Sequence, residues 1–168
     1  MPSNAFAFGT LAIGAVAGAM IDLRTRRVPN ALTLGLAASG LAAAASGASG
    51  ISVAAALAGF ALGMVLMLPG HLIAGTGAGD VKLFAAIGTL VGPATIMTAF
   101  LYTAIAGGVL AVVVAIKRRR LQRTLEATAG LVSGNAAQAA AIESPLANNR
   151  FAYAPAIAIG TLLAALGV

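Results

Sequence analysis

Long apolar runs, separated by short polar or glycine- and proline-containing interruptions, are the dominant pattern of this 168-residue chain. A helix that crosses a bilayer needs roughly 20 mainly apolar residues, within a range of about 17–25. We predict spans at six places: about 5–21, 31–45, 51–68, 80–92, 94–116 and 151–168. The pattern therefore predicts an all-α membrane protein, a polytopic bundle of about six transmembrane helices.

Proline, glycine and asparagine mark the expected helix ends. Pro29 cannot continue the first helix, and Asn30 is predicted to cap the second. The uncharged segment 46–50, Ser-Gly-Ala-Ser-Gly, is predicted to form a turn. Pro69-Gly70 is predicted to stop the third span.

The dipeptide Gly92-Pro93 allows two interpretations. Pro93 either kinks one helix that runs from Asp80 to Ile116, or starts a new helix after a tight turn. One continuous helix would measure on the order of 55 Å, against a hydrocarbon core of roughly 30 Å. It would also place the basic cluster 117–120 on the opposite side from Arg24–Arg27, whereas the turn places both on one side. We therefore favour the turn.

The basic residues determine the predicted orientation. With six spans and the N-terminus outside, one face holds every basic residue: Arg24, Arg26, Arg27, Lys82, the cluster 117–123 and Arg150. Basic residues of membrane proteins collect in cytoplasmic loops. This face is therefore predicted to be cytoplasmic, with a cytoplasmic loop at about 117–150. The first basic residue follows the first apolar run, which is typical of an uncleaved first span.

Composition narrows the class of protein. The chain is 60% hydrophobic and 8% charged, with a mean hydropathy of +1.00, whereas soluble domains carry roughly 25% charged residues. It is predicted to be a single integral-membrane domain, 1–168, whose net charge of +6 reflects topology rather than nucleic-acid binding. No cysteine and one histidine are present, so thiolate catalysis and Cys- or multi-His-ligated metals are excluded, and we expect no metal and no cofactor.

Two acidic residues carry the candidate chemistry. Asp22 ends the first span and Asp80 begins the fourth, so the topology places both at the same cytoplasmic depth. A carboxylate beside lipid is costly and requires a reason. An aspartyl dyad needs one ionised carboxylate to take a proton from water and one protonated carboxyl to polarise the scissile carbonyl, which two close carboxylates achieve by sharing a proton. The pair predicts proteolysis at a membrane surface.

The loop before Asp80 is rich in glycine. Gly77 and Gly79 are predicted to adopt positive φ and to let the chain approach a substrate closely. Lys82 lies about 200° around the helix from Asp80 and is predicted to be an interface anchor. His71 is predicted to lie in the same loop.

Less specific explanations exist for both acids. Asp80 would be an ordinary N-cap after a flexible loop, and Asp22 would form a surface ion pair with Arg26. The protein would then be a non-enzymatic membrane protein, such as a channel, a transporter subunit or a pilus assembly factor. A presenilin-like protease that cuts within the bilayer is a third possibility, although its carboxylates should lie deeper.

The two acidic segments resemble signatures of a known family. Asp22-Leu23-Arg24-Thr25-Arg26-Arg27-Val28-Pro29-Asn30 resembles the first signature of prepilin peptidases, and Gly77-Ala78-Gly79-Asp80-Val81-Lys82-Leu83 resembles the G-x-G-D-x-K-L motif of membrane aspartic proteases. Ala154-Pro155-Ala156 is similar to the family's proline-containing last span. The resemblance implies that Asp22 and Asp80 are the catalytic pair. It associates loop geometry or substrate binding with five further residues: Pro29, Asn30, Gly77, Gly79 and Lys82.

The resemblance also implies a substrate and a location. The substrate would be a type IV prepilin or pilin-like precursor, cut after a glycine at the cytoplasmic end of its apolar helix, in the bacterial inner membrane. Long family members carry an N-terminal domain with Cys-x-x-Cys motifs and methylate the new N-terminus. This cysteine-free chain resembles the short form that serves tight-adherence pili, so N-methylation is not expected. Archaeal preflagellin peptidases share the G-x-G-D motif and are a neighbouring alternative.

Overall fold

The computed structural model describes residues 5–72, 76–117 and 153–167. Over these residues the chain is helical, without strands, and the predicted all-α class is confirmed. The helices are α1 (Ala5–Thr25), α2 (Asn30–Ala45), α3 (Val53–Leu72), α4 (Ala78–Lys117) and α5 (Ala154–Leu166). The loop predicted at about 117–150 lies outside the described residues, apart from its first position at the end of α4.

Three stretches of the described chain are long and apolar enough to cross a membrane: Ala5–Thr25, Val53–Leu72 and Ala78–Val114. Helices α2 and α5 are apolar but shorter, with 16 and 13 residues. At 1.5 Å per residue each is shorter than a hydrocarbon core of roughly 30 Å. The count of six spans and the outside location of the N-terminus therefore stay predictions.

Helix α4 is interrupted at Gly92, whose φ of 75° and ψ of 179° are not helical. Only glycine adopts such a backbone conformation readily. The segments on either side, 78–91 and 93–117, fold back on each other. This is seen in the rings of Phe84 and Phe100, which meet edge to face with centroids 6.3 Å apart. In a continuous helix these two residues would be separated by roughly 24 Å. The turn predicted at Gly92-Pro93 is confirmed.

Other helix ends depart from the predictions. Asn30 is the first residue of α2, and Pro29, in extended conformation, holds the cap position without a side-chain hydrogen bond. Pro69 does not stop α3, which continues to Leu72. A proline near a helix end removes only one main-chain hydrogen bond, and the carbonyl of Gly70 gains a new donor in the N–H of Thr76, at 3.1 Å.

The turn predicted at 46–50 is confirmed, with Gly47 and Gly50 at φ values of 75° and 71°. Helix α1 extends a full turn past the predicted end at position 21 and stops before Arg26, which has a left-handed φ of 53°. The N–H of Arg26 donates to the carbonyl of Asp22 at 2.7 Å. Asp22 consequently lies inside the last turn of α1 rather than beyond it.

The first segment of α4 is the centre of the bundle. Every residue from 80 to 92 is buried except Lys82, so this helix is covered on all sides, by α1, α2, α3 and α5. Glycines let its neighbours approach closely: a Cβ at Gly59 of α3 would overlap the carbonyl of Gly88, and a Cβ at Gly88 would overlap that of Gly59. In lipid, burying an apolar side chain between helices gives little free energy, because the lipid tails are equally apolar. Helices there associate through close packing at small residues such as glycine.

Candidate active site

Asp22 connects two helices that are distant in sequence. The residue is only 5% exposed, and Oδ2 accepts a hydrogen bond from the main-chain N–H of Ala154 at 3.2 Å. Ala154 is the first residue of α5, whose free N–H groups and positive dipole end favour a carboxylate. The acid that ends the first predicted span is therefore held at the N-terminus of the last described helix.

Asp80 lies in the first turn of α4 and is also 5% exposed. Its Oδ2 accepts a hydrogen bond from the N–H of Gly77 at 3.0 Å. Asp80 is therefore not an N-cap: it reaches back from the third helical position to the residue before the helix, as the acid of a capping box does. The second oxygen, Oδ1, is buried and has no hydrogen-bond partner within the described parts of the chain. A buried carboxylate oxygen without a donor is costly in a structural role.

The negative charge of Asp22 acts on the carboxyl group of Asp80. The charge of Arg26 acts on Asp22 in turn. An ion pair with Arg26 does not by itself account for Asp22, because its Oδ2 also accepts a hydrogen bond from the N–H of Ala154 at the start of α5. The fold thus brings together two acids that are 58 positions apart, each held by a main-chain N–H at the start of a helix.

The two segments that carry these acids also meet directly. A Cβ at Gly79 would lie 3.0 Å from the Cβ of Val28 and 3.3 Å from its nitrogen, so α4 begins against the connection between α1 and α2. Two residues after Val28, the side chain of Asn30 accepts a hydrogen bond from Nζ of Lys82 at 3.0 Å. Lys82 is exposed, as predicted for an interface residue, but it is also tied to α2.

The positive φ predicted for the two glycines is wrong, since neither Gly77 nor Gly79 has one. A Cβ at Gly77 would lie 3.2 Å from Oδ2 of Asp80, and a Cβ at Gly79 would lie 3.0 Å from the Cβ of Val28. At both positions glycine avoids a close contact with a neighbouring group. The predicted close approach to a substrate stays a prediction.

His71 contacts the main chain just before Gly77. Its Nδ1 lies 3.0 Å from the carbonyl oxygen of Thr76 and donates to it when that nitrogen carries the proton. The N–H of Thr76 donates in turn to the carbonyl of Gly70. His71, which was predicted to lie in the loop, is in the last turn of α3.

Tyr153 is the site residue that sequence reasoning missed. It precedes Ala154, is half-buried, and places its ring against Gly107 of α4. Burial raises the pKa of the Tyr153 phenol, and the negative charge of Asp80 raises this pKa further. The available signal was a tyrosine just before Ala154-Pro155, at the start of the last apolar run, in a chain with only two tyrosines.

Disruption of the Lys82–Asn30 hydrogen bond is expected to reduce activity modestly. Lys82→Met and Asn30→Ala should each lower the rate of substrate cleavage roughly three- to tenfold, because a hydrogen bond from an ammonium group helps hold α4 against α2. The double variant should be no slower than the worse single variant. Initial rates at matched protein levels measure this, and additive losses would contradict a shared contact.

The donor set at this site favours acid–base chemistry. Two carboxyl groups that interact by charge in a buried setting are suited to sharing one proton. Within residues 5–72, 76–117 and 153–167, no three histidine, aspartate or glutamate side chains converge as a metal site would require. Such a pair can take a proton from one group and give a proton to another.

Comparison with known proteins identifies the family. A sequence model described as the type IV leader peptidase family matches residues 9–112, which include Asp22 and Asp80 but not Tyr153. No significant match was found among curated proteins or among solved structures. The matched segment covers well over half of the chain and both signature segments, and the chain belongs to the type IV leader peptidase family.

Proposed function

We propose that this protein is a membrane aspartic endopeptidase that removes the leader peptide of type IV prepilin or pilin-like precursors, with Asp22 and Asp80 as its catalytic pair. Membership of a peptidase family supports proteolysis. The observation that carries the aspartic mechanism is that Asp22 of α1 and Asp80 of α4 are both buried, each held by a main-chain N–H at a helix start, with the charge of one acting on the other.

The reaction follows from one proton shared by two carboxyl groups. The ionised carboxylate accepts a proton from a water molecule as its oxygen attacks the scissile carbonyl carbon, and the protonated carboxyl donates a hydrogen bond to the carbonyl oxygen. Collapse of the tetrahedral intermediate breaks the C–N bond, and the leaving amine takes up a proton from the acid. The products are a new carboxylate and a new N-terminus, and the pair again holds one proton.

We assign the attacking water to Oδ1 of Asp80. This oxygen is buried and has no hydrogen-bond partner among the described residues, while Oδ2 is already bound to Gly77. A water that donates to Oδ1 would satisfy this acceptor. The main-chain donors at Gly77 and Ala154 fix the orientation of both carboxyl groups before substrate arrives.

Charge supports a cytoplasmic location for this site. Arg24, Arg26 and Arg27 follow Asp22 directly, and Lys82 lies two residues after Asp80. Under the positive-inside tendency these residues face the cytoplasm, which puts the pair at the cytoplasmic face of the inner membrane, with the N-terminus outside and about six spans. The cleavage site of a precursor, at the cytoplasmic end of its apolar helix, would then be at the same depth as the pair.

The substrate is tested by co-expression and by reconstitution. The full chain in liposomes is mixed with candidate precursors, and the products are separated on gels and sequenced by mass spectrometry. We expect a single cut after the glycine that precedes the apolar helix, with an unmethylated new N-terminus. A precursor in which this glycine is replaced by valine is the matched control and should stay intact. Equal cleavage of both precursors, or of neither, would contradict the proposal.

A further inference from the structure

Tyr153 is fixed at its main chain by the start of α5. Its carbonyl accepts hydrogen bonds from the N–H groups of Ala156 and Ile157, at 3.0 and 3.2 Å. The next residue, Ala154, donates its N–H to Asp22. The peptide bond between Tyr153 and Ala154 therefore both holds Asp22 and sets the position of the Tyr153 side chain.

The ring of Tyr153 is positioned by a glycine on the opposite helix. A Cβ at Gly107 would lie 2.6 Å from Cε2, 2.8 Å from Oη and 2.9 Å from Cζ of Tyr153. No side chain larger than hydrogen fits beneath this ring. Gly108, one residue further, has no atom within 4 Å of a Cβ built there. The missing side chain at Gly107 therefore leaves space for the ring of Tyr153. The missing side chain at Gly108 makes room for no neighbouring group.

Tyr153 directly precedes Ala154, whose N–H binds Asp22, and the negative charge of Asp80 acts on the phenol. The tyrosine hydroxyl keeps its proton at neutral pH and is therefore a hydrogen-bond donor. It is not bonded to the buried Oδ1 of Asp80 in the resting structure, since that atom has no partner within the described residues. A neutral donor that follows the same helix start as the Asp22 hydrogen bond is suited to an oxygen on which negative charge develops.

We propose that Tyr153 is a third catalytic residue, whose hydroxyl donates a hydrogen bond to the scissile carbonyl oxygen as the tetrahedral intermediate forms. The carbonyl oxygen accepts one hydrogen bond from the protonated aspartic acid and a second from Tyr153. No proton leaves the phenol during the step. This role rests on the proposed function of Asp22 and Asp80.

Tyr153→Phe tests the hydroxyl by itself, because it keeps the ring against Gly107. Loss of one donor of this type commonly lowers kcat about 10²- to 10³-fold. We expect a loss of about a hundredfold in kcat for precursor cleavage, with KM and the unfolding midpoint in detergent near those of the parent protein. Tyr102→Phe removes the hydroxyl of the chain's other tyrosine and is the matched control. A Tyr153→Phe protein with the parent kcat would overturn the proposal.

Gly107→Ala and Gly108→Ala test the position of the ring. Both replace glycine by alanine in the same helix, but only the first inserts a methyl group into the space of Tyr153. We expect Gly107→Ala to lower kcat tenfold or more and Gly108→Ala to leave it unchanged. In a Tyr153→Phe background Gly107→Ala should cost much less, since the hydroxyl that it displaces is already absent. Equal kcat values for the two glycine variants would contradict the role of Gly107 in placing the phenol.

The Asp22→Asn and Asp80→Asn proteins separate this inference from the proposed function. If both are inactive while Tyr153→Phe is fully active, only the role of Tyr153 is wrong. If either asparagine variant cleaves at the parent rate, the catalytic pair itself is wrong. Should Gly107→Ala fail to accumulate in membranes, the kcat of Tyr153→Phe decides the matter without it.

Discussion

Asp22→Asn and Asp80→Asn are each expected to reduce precursor cleavage by at least about 10³-fold, because each removes a group that must gain or lose a proton in the reaction. Asparagine is the informative replacement. Its side-chain oxygen can still accept from Ala154 or Gly77, so the hydrogen bonds that hold positions 22 and 80 to helix starts survive. Loss of activity would then report on chemistry and not on folding. Cleavage rates in reconstituted liposomes, together with membrane levels, measure the effect.

The chain supplies its own control for this experiment. It has only four acidic residues, and the other two are Glu126 and Glu143. Glu126→Gln and Glu143→Gln remove a negative charge by the same chemistry, and we expect both proteins to cleave precursor at rates within about twofold of the parent. Inactivity of all four variants, or activity of an aspartate variant within tenfold of the parent, would be incompatible with a dedicated aspartyl pair.

Gly59→Ala and Gly88→Ala are expected to cause the largest losses of stability. The two glycines face each other between α3 and the first segment of α4, and a methyl group on either would overlap the main-chain carbonyl of the other. A backbone cannot rotate away as a side chain does, so the helices must separate. Overpacking of this kind typically costs about 1–3 kcal/mol. We expect a lower unfolding midpoint in detergent and less protein in membranes.

Gly35→Ala is the matched control for these glycines. Gly35 lies in α2, is exposed, and has no atom within 4 Å of an added Cβ. Because alanine is a better helix former than glycine by about 1 kcal/mol, this variant should be as stable as the parent or more stable. The double variant Gly59→Ala/Gly88→Ala should lose less than the sum of the single losses, since one separation accommodates both methyl groups. Three alanine variants of equal stability would show that the close contact of α3 and α4 does not matter.

The apolar runs predicted the described helices well because helix formation in lipid is decided by local composition. The break at Gly92 was also predictable, since a continuous helix would be too long for a bilayer and would separate the basic clusters. The structure confirms the break through the contact of Phe84 with Phe100. Helix length and the placement of basic residues predicted this break, because the thickness of the bilayer and its preference for basic residues on one side act on any membrane protein.

Predictions that depended on a single residue type were less reliable. Pro69 was expected to stop α3, and the helix continues because the lost hydrogen bond is near its end. Asn30 was expected to be a cap, and its side chain instead accepts a hydrogen bond from Lys82. Gly77 and Gly79 were expected to have positive φ, and they have ordinary φ with crowded surroundings. For Asn30 and Gly79, a contact with a residue distant in sequence decided the role.

The sequence by itself determined that the chain is a bundle of apolar helices and that two acids with distinctive neighbours are the candidates for chemistry. Both features depend on short stretches of sequence. An apolar run satisfies its own main-chain hydrogen bonds by forming a helix, and each signature lies within nine residues. Only the tertiary structure decided that Ala154 holds Asp22 across 132 positions, and that the ring of Tyr153 packs against Gly107, where the charge of Asp80 acts on its phenol. The ring fits there because Gly107 has no side chain, and the packing of distant helices is not encoded in the local pattern of any one of them.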